Sequence, residues 1–266
     1  MYNLDDKKRI IIKVGTSTLT HKTGRLNIRR MERFVKILAD LQNSGRQIIL
    51  VSSGAIGLGM SKLSLSERPK DTVTKQACAA VGQCELMYIY DKLFGEFNIN
   101  VAQILLTKYT LDSPRKNNIS NTFERLINMN VVPIVNENDT IAIDELELEV
   151  GENDTLAAYV GHYCKADMLI ILSDIDGLFD SDPHVNPNAR LIPIVHNIDD
   201  EILKTAGGAY SSLGSGGMTT KLNAAKISLD AGMSMAILNG RNPSVLYDFF
   251  DGKEVGTIFT SENTDR

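Results

Sequence analysis

Two hydrophobic periods alternate along this chain, and that alternation limits its fold more than any single residue does. Ile10-Ile11-Ile12-Lys13-Val14 is a short β-branched run ended by Gly15, and comparable runs occupy 47–51, 101–106, 131–135, 168–172 and 235–238. Short apolar runs bounded by glycine and polar residues read as strands buried on both faces. Between them, residues 28–41, 72–97, 121–129, 155–164, 218–231 and 244–250 read as helices. In 28–41 the side chains of Met31, Phe34, Val35, Leu38 and Leu41 share one helical face, and Gly45 is placed to stop it. Residues 144–150 alternate acidic and apolar side chains, the pattern of a half-exposed strand or hairpin. Strands that alternate with helices are joined by crossovers, so the expected fold class is α/β: an αβα sandwich with a mostly parallel central sheet. No repeat, low-complexity tract or proline-rich linker divides the 266 residues, which are expected to form a single domain, 1–266, with two lobes at about 1–165 and 166–266.

Composition narrows the function. The net charge is −5 and the basic residues are scattered among acids, so no basic stripe for nucleic acid is present. The clusters Glu67-Arg68-Pro69-Lys70 and Pro114-Arg115-Lys116 read as solvated loops. Cys78, Cys84 and Cys164 are odd in number and lack a Cys-x-x-Cys pair, so buried thiols in a reducing compartment are expected and a disulfide framework is not. The polar N-terminus has no signal-peptide core, and no apolar stretch approaches the ~20 residues of a membrane helix. A cytoplasmic protein without membrane contact is expected. The four histidines, His21, His162, His184 and His196, show no metal-ligand spacing and receive no catalytic role.

In open parallel sheets ligands bind beyond the carboxyl ends of the strands, and the polar, glycine-rich segments of this chain fall there. They are Lys13-Val14-Gly15-Thr16-Ser17, Ser52-Ser53-Gly54-Ala55-Ile56-Gly57, Asn136-Glu137-Asn138-Asp139-Thr140 and Ser173-Asp174-Ile175-Asp176-Gly177. Gly151-Glu152-Asn153-Asp154 opens one helix, and Leu213-Gly214-Ser215-Gly216-Gly217-Met218-Thr219-Thr220-Lys221 leads into another. Lys13 follows a run of isoleucines, and burying a lysine without an anionic partner is costly, so it is expected to face an anion. Ser53-Gly54-Ala55 suits both a helix N-cap and an anion site, since a helix N-terminus presents free N–H groups. Lys221 would sit in a first helical turn, where a cation opposes the helix dipole unless an anion lies nearby. The spacing is not that of a Walker A loop. Together these features point to phosphate. Gly59, Gly82 and Gly161 read as helix-packing glycines.

Taken in order, these segments resemble the amino-acid kinase family, and within it the kinases that phosphorylate the side chain of glutamate. The matching runs are Ile12-Lys13-Val14-Gly15-Thr16-Ser17, Ser52-Ser53-Gly54-Ala55-Ile56, Ala79-Ala80-Val81-Gly82-Gln83, Val135-Asn136-Glu137-Asn138-Asp139, Val150-Gly151-Glu152-Asn153-Asp154 and Gly214 to Lys221. The resemblance spans about 10–259. It implies transfer of the γ-phosphoryl of ATP, with Mg²⁺, to the γ-carboxylate of glutamate, the first step of proline synthesis. Lys13, Lys221 and Asp154 would be catalytic, with Asp154 holding the two lysines. Ser53, Gly54, Ala55, Asn136, Asp139 and Asn153 would bind glutamate, Asp139 taking its ammonium. Lys13, Gly15, Ser173, Asp174, Ser215, Gly216, Gly217, Met218, Thr219, Thr220 and Lys221 would line the ATP site, and no protein ligand to the metal is named. The N-terminal lobe would then hold the acceptor and the C-terminal lobe ATP. A homodimer or homotetramer, feedback inhibition by proline and contact with the next enzyme of proline synthesis are also implied, in a form without a C-terminal PUA domain.

Two other readings remain. A sibling kinase acting on another small anion would share the lysines, and a non-catalytic effector sensor would share the fold. A dinucleotide oxidoreductase is disfavoured, because no Gly-x-Gly-x-x-Gly follows the first strand.

Overall fold

The computed structural model describes residues 4–21, 23–107, 116–141, 153–183, 185–206 and 217–261. The segment 144–150, together with Gly151, Glu152, Gly214, Ser215 and Gly216, lies outside the described residues, as do Pro114, Arg115 and His184. The described strands are β1 (Arg9–Val14), β2 (Gln47–Ser52), β3 (Val101–Leu106), β4 (Val132–Glu137), β5 (Met168–Ser173), β6 (Ile194–Val195), β7 (Ser234–Asn239) and β8 (Thr257–Phe259). The helices are α1 (Thr16–Leu19), α2 (Ile28–Asn43), α3 (Ala55–Lys62), α4 (Thr72–Gly95), α5 (Lys116–Asn128), α6 (Asn153–Cys164), α7 (Asp200–Ala206), α8 (Met218–Asp230) and α9 (Val245–Phe250).

The strands form one sheet in the order β3-β4-β2-β1-β5-β7-β8-β6. All neighbours pair in parallel except β7 and β8, which are antiparallel. The expected α/β sandwich is therefore the observed one, with an antiparallel turn-back at one edge. Pro133 lies inside the sheet, where its missing N–H matters. It faces Ala102 of β3, and β4 meets β2 only at Ile134 and Val135, so the ladder on that side begins after the proline.

The two-residue period of each strand divides the core into two layers. Ile10, Ile12 and Val14 pack with Phe34, Leu38, Tyr90 and Phe249 of α2, α4 and α9. Ile11 points the other way, into a layer with Ala157 and Ala158 of α6 and Leu222 and Ala225 of α8. The helices are bounded as their ends suggest. Asn27 accepts from the Arg30 N–H at 3.1 Å and Asp71 from the Thr74 N–H at 2.8 Å, caps worth about 1 kcal/mol each. At the C-terminus of α2, Gly45 adopts φ +100°. Its N–H reaches the Gln42 carbonyl while the Arg46 N–H reaches that of Leu41, a complete Schellman stop.

Several elements lie beyond the sequence reading: α1 and α7, the extent of α3 past its candidate N-cap at Ser53 and packing glycine Gly59, the short strands β6 and β8, and the start of α5 at Lys116 rather than Asn121. The thiols are all free, but only Cys78 and Cys164 are buried. Cys84, on α4, is exposed, which corrects the expectation of three buried thiols. The packing glycines do behave as expected. A Cβ on Gly59 would lie 1.8 Å from the Cys78 carbonyl oxygen and one on Gly82 1.7 Å from that of Ala55, so α3 and α4 touch backbone to backbone. A Cβ on Gly161 would meet Met233 at 2.6 Å. Among the described residues no helix is long and apolar enough to cross a membrane.

Candidate active site

β1 lies between β2 and β5, so the chain leaves β1 on one side and later returns on the other. Such a switch opens a crevice beyond the strand ends. There the structure has a cavity of about 380 Å³ lined from β1, β2, β4 and β5 and from the first turns of α3, α6 and α8.

Lys13 has the same parity as Ile11 on β1, so its side chain turns toward the layer of α6 and α8. Its Nζ makes an ion pair with Asp154 Oδ1 at 2.6 Å. Lys221, in the first turn of α8, donates to Asp154 Oδ2 at 3.1 Å. The Thr220 hydroxyl lies 2.9 Å from the Gly217 carbonyl oxygen and 3.3 Å from the same Oδ2. All three charged side chains are nearly buried, at 12% exposure for Lys13, 6% for Lys221 and 2% for Asp154. Burial pushes the Asp154 carboxyl up, but Lys13 and then Lys221 outweigh it and hold the group below the usual carboxylate range. Asp154 also stands in the first turn of α6, where the helix dipole favours an anion. One carboxylate thus gathers two ammonium groups at the cavity wall.

On the other side of the cavity Gly54 turns the chain from β2 into α3 with φ +111° and ψ 1°, a conformation that requires glycine. The first N–H groups of α3, at Ala55, Ile56 and Gly57, have no intrahelical acceptor by helix geometry, and these residues line the cavity. Behind them runs a chain of amides. Asn153 Nδ2 donates to Ser53 Oγ at 2.6 Å and to Asn136 Oδ1 at 3.1 Å, and Asn136 Nδ2 donates to Gln83 Oε1 at 2.9 Å. Asp139, half-buried at the cavity wall, has its carboxyl pushed up to about 6 by burial.

The structure brings together Lys13, Gly15, Ser53, Gly54, Ala55, Asn136, Asp139, Asn153, Asp154, Ser173, Asp174 and Lys221 around one cavity. Gly217 caps α8, Thr219 is exposed on its first turn, and Thr220 is turned toward Asp154. The Met218 side chain is 2% exposed and packs in the core, so its backbone N–H is what remains for a ligand. The predicted ATP-site residues Ser215 and Gly216 lie outside the described residues. Arg68 has no role in the sequence reading beyond that of a solvated loop residue. It is indeed exposed, yet it lines the cavity's rim. Gln83 falls in a matching motif that carries no function of its own at the sequence level; the motif is the available signal.

As for a metal, no group of three or more His, Cys, Asp or Glu side chains is gathered among the described residues. Both Asp154 oxygens are engaged by lysines. The site suits a Mg²⁺ ion that arrives on phosphates and keeps its waters.

A charged lysine–aspartate–lysine bridge at the strand ends of an αβα sandwich defines an anion-handling α/β protein, and comparison with known proteins gives its class. The amino acid kinase family model matches residues 8–239, and the chain belongs to that family. Among its curated relatives, the glutamate 5-kinase of Clostridium perfringens is 50% identical over 262 residues, covering 97% of this chain and 97% of the relative. The glutamate 5-kinase of Listeria innocua is 47% identical over 263 residues, 98% of this chain and 95% of the relative. Solved structures agree on the fold. UMP kinase from Bacillus anthracis superposes with a TM-score of 0.64 at 16% identity, covering 96% of this chain and 97% of that one. Isopentenyl phosphate kinase from T. acidophilum gives 0.59 at 16% identity, covering 95% and 100%.

Proposed function

We propose that this protein is an ATP-dependent kinase of L-glutamate, transferring the γ-phosphoryl group of ATP to the side-chain carboxylate to give γ-glutamyl phosphate and ADP, the first step of proline biosynthesis. The observation that carries this reading is the buried Lys13–Asp154–Lys221 bridge, in which one carboxylate holds two ammonium groups at the cavity wall. The relatives at 50% and 47% identity supply the acceptor.

A glutamate side-chain carboxylate has a reference pKa of about 4.3 and is already ionised at neutral pH. It needs no general base. The obstacle is the approach of one anion to another, followed by charge spread over the equatorial oxygens of a loose transition state. Lys13 and Lys221 converge on that charge, and the first turns of α3 and α8 direct N–H groups at it. Asp154 fixes both ammonium groups in place without cancelling their sum. When bound, Mg²⁺ neutralises ATP phosphate oxygens. Ser173, Asp174, Gly217, Thr219 and Thr220, with the Met218 N–H, hold the nucleotide on the C-terminal side. Ser53, Gly54, Ala55, Asn136 and Asn153 hold glutamate on the N-terminal side, with Asp139 against its ammonium. Proline shares that ammonium and α-carboxylate, and so competes at Asp139 as a feedback inhibitor. The enzyme works in the cytoplasm as a homodimer or homotetramer and passes its labile acyl phosphate to the next enzyme of proline synthesis.

The test is Mg²⁺- and ATP-dependent hydroxamate formation in the presence of hydroxylamine, with ADP release followed in parallel. Glutamate, aspartate, acetylglutamate, carbamate and UMP are the acceptors compared. Hydroxamate with glutamate alone is expected; ADP release with a different acceptor would keep the kinase and discard the substrate. A rise in the glutamate KM with millimolar proline checks the inhibitor.

A further inference from the structure

The amide chain behind the acceptor side of the cavity has a direction. Asn153 uses its nitrogen twice, toward Ser53 and toward Asn136, while its Oδ1 is buried without a hydrogen-bond partner. Asn136 in turn presents Oδ1 to Asn153 and Nδ2 to Gln83. Each amide is thus oriented by the next, because reversing any one of them would set donor against donor or acceptor against acceptor. The chain ends on Gln83, which is 7% exposed and whose Nε2 is buried without a partner.

The consequence falls on Ser53. Its Oγ already accepts from Asn153, so its single hydroxyl proton is left to donate. A hydroxyl that donates suits a carboxylate. Were the whole chain reversed, Asn153 Oδ1 would take the Ser53 proton and Ser53 would offer the cavity only oxygen lone pairs, which repel an anion. We infer that Gln83 is a positioning residue for the acceptor: as the group that accepts from Asn136 it holds that amide, and through it Asn153, in the arrangement that leaves the Ser53 proton available to the acceptor's carboxylate.

A second observation places Gln83 where it can do this. Its neighbour Gly82 lets α4 meet the Ala55 carbonyl so closely that a Cβ would stand 1.7 Å away. The amide of Gln83 is therefore held in fixed register with the start of α3, the same turn that carries Ser53, Gly54 and Ala55. Ser53 is fixed independently by its N–H, which donates to the Val14 carbonyl at 3.1 Å.

This inference rests on the reading of Ser53 as a contact to the acceptor, and a double-mutant cycle tests it. Wild type, Gln83→Met, Ser53→Ala and the double variant are compared for acceptor KM, ATP KM and kcat, with thermal midpoints alongside. Methionine keeps the length of glutamine and removes its polar atoms. The acceptor KM of Gln83→Met should rise roughly tenfold, as for a weakened hydrogen bond to a charged group. The ATP KM should stay within about twofold and kcat within about threefold, a split that general loss of packing would not give. Ser53→Ala should also raise the acceptor KM, and adding Gln83→Met to it should change nothing further. Effects that multiply in the double variant, or an ATP KM that moves as far as the acceptor KM, would overturn the inference. Gln83→Leu carries the same comparison should the methionine variant not fold. If wild type used an acceptor other than glutamate, the substrate reading would fail by itself. The cycle would then be run on that acceptor's KM, so the two failures stay separate.

Discussion

At the scale of single residues the chemistry is a matter of charge count. Replacing Lys221 by alanine removes one of two ammonium groups but leaves Asp154 paired with Lys13 at 2.6 Å. The buried carboxylate keeps a partner, so the fold should survive. The transition state loses a charge contact of the size of an oxyanion-hole donor, and kcat should fall by about 10²–10³. Steady-state kinetics together with a thermal midpoint within a few degrees of wild type check this; wild-type kcat would remove Lys221 from the machinery. Asp139 gives a prediction in pH. Burial raises its carboxyl to about 6, so it is ionised at neutral pH and becomes protonated as the pH falls through that value. The glutamate KM should therefore climb below about pH 6, by up to about tenfold per unit, and Asp139→Asn should have a high, pH-independent KM. The stability effect has the opposite sense. The folded value lies above the unfolded value of about 3.9, so ionised Asp139 weakens the ligand-free protein above about pH 6 and has no effect below about pH 4. Asp139→Asn should then stabilise the ligand-free protein at pH 7 by roughly 1–2 kcal/mol, vanishing in acid, as denaturant titrations at pH 4 and 7 would show.

At the scale of elements, the contact between α3 and α4 carries the acceptor side of the site. Gly82→Ala would force its new Cβ against the Ala55 carbonyl oxygen, at a distance of 1.7 Å unless the helices separate. That contact is backbone and cannot yield as a side chain does. A loss of about 3 kcal/mol or more is expected, at or beyond the upper end of ordinary overpacking, together with a raised glutamate KM. Urea unfolding and acceptor kinetics measure the two parts. The same contact marks where sequence reading stops. The strands and the long helices are legible because their periods are local, and so are the polar ends of elements: Lys13 and Asn136 on strands, and Asp154 at the start of a helix. The helix α3 is legible only as a candidate N-cap at Ser53 and a packing glycine at Gly59, not in its extent. Ala55-Ile56-Gly57-Leu58-Gly59 has two glycines, each costing about 1 kcal/mol of helix propensity. It is held by packing on α4 rather than by its own composition. Strands of two and three residues, β6 and β8, are too short to show a period. Arg68 as a cavity residue, and Gln83 as the end of the amide chain behind the cavity, are illegible for the reason that hides α3: Arg68 lies in the connection between α3 and α4, and Gln83 lies at their contact. Their position depends on how two helices meet.

At the scale of the whole molecule, one carboxylate joins three elements that are remote in sequence. Asp154 on α6 ties β1 through Lys13 and α8 through Lys221, across the central strand pair of the sheet. Removing its charge would take from two nearly buried ammonium groups the carboxylate they share. Breaking a buried pair in this way costs about 3–5 kcal/mol, whereas exchanging a whole buried bridge for apolar residues is often neutral. Asp154→Asn should therefore be strongly destabilised at pH 7 despite its near-identical shape. The sign of the pH dependence follows from the direction of the shift. The folded carboxyl is held below its ordinary value, so its contribution is present in full above the unfolded pKa of about 3.9 and disappears as the pH falls through the lower folded value. Wild type should lose this stability only below about pH 4, whereas Asp154→Asn has none of it to lose. Denaturant titrations from pH 7 down to pH 3 should show the two proteins several kcal/mol apart at neutrality and converging in acid. A constant gap across that range would mean that Asp154 acts through its hydrogen bonds and packing, not its charge, and the electrostatic account of the bridge would have to be abandoned. Anions should act in the same direction as the missing carboxylate. If the variant is short of one negative charge, ATP, or pyrophosphate as a simpler probe, should raise its thermal midpoint more than that of wild type, because the phosphates would supply the counter-ion that the substituted amide lacks.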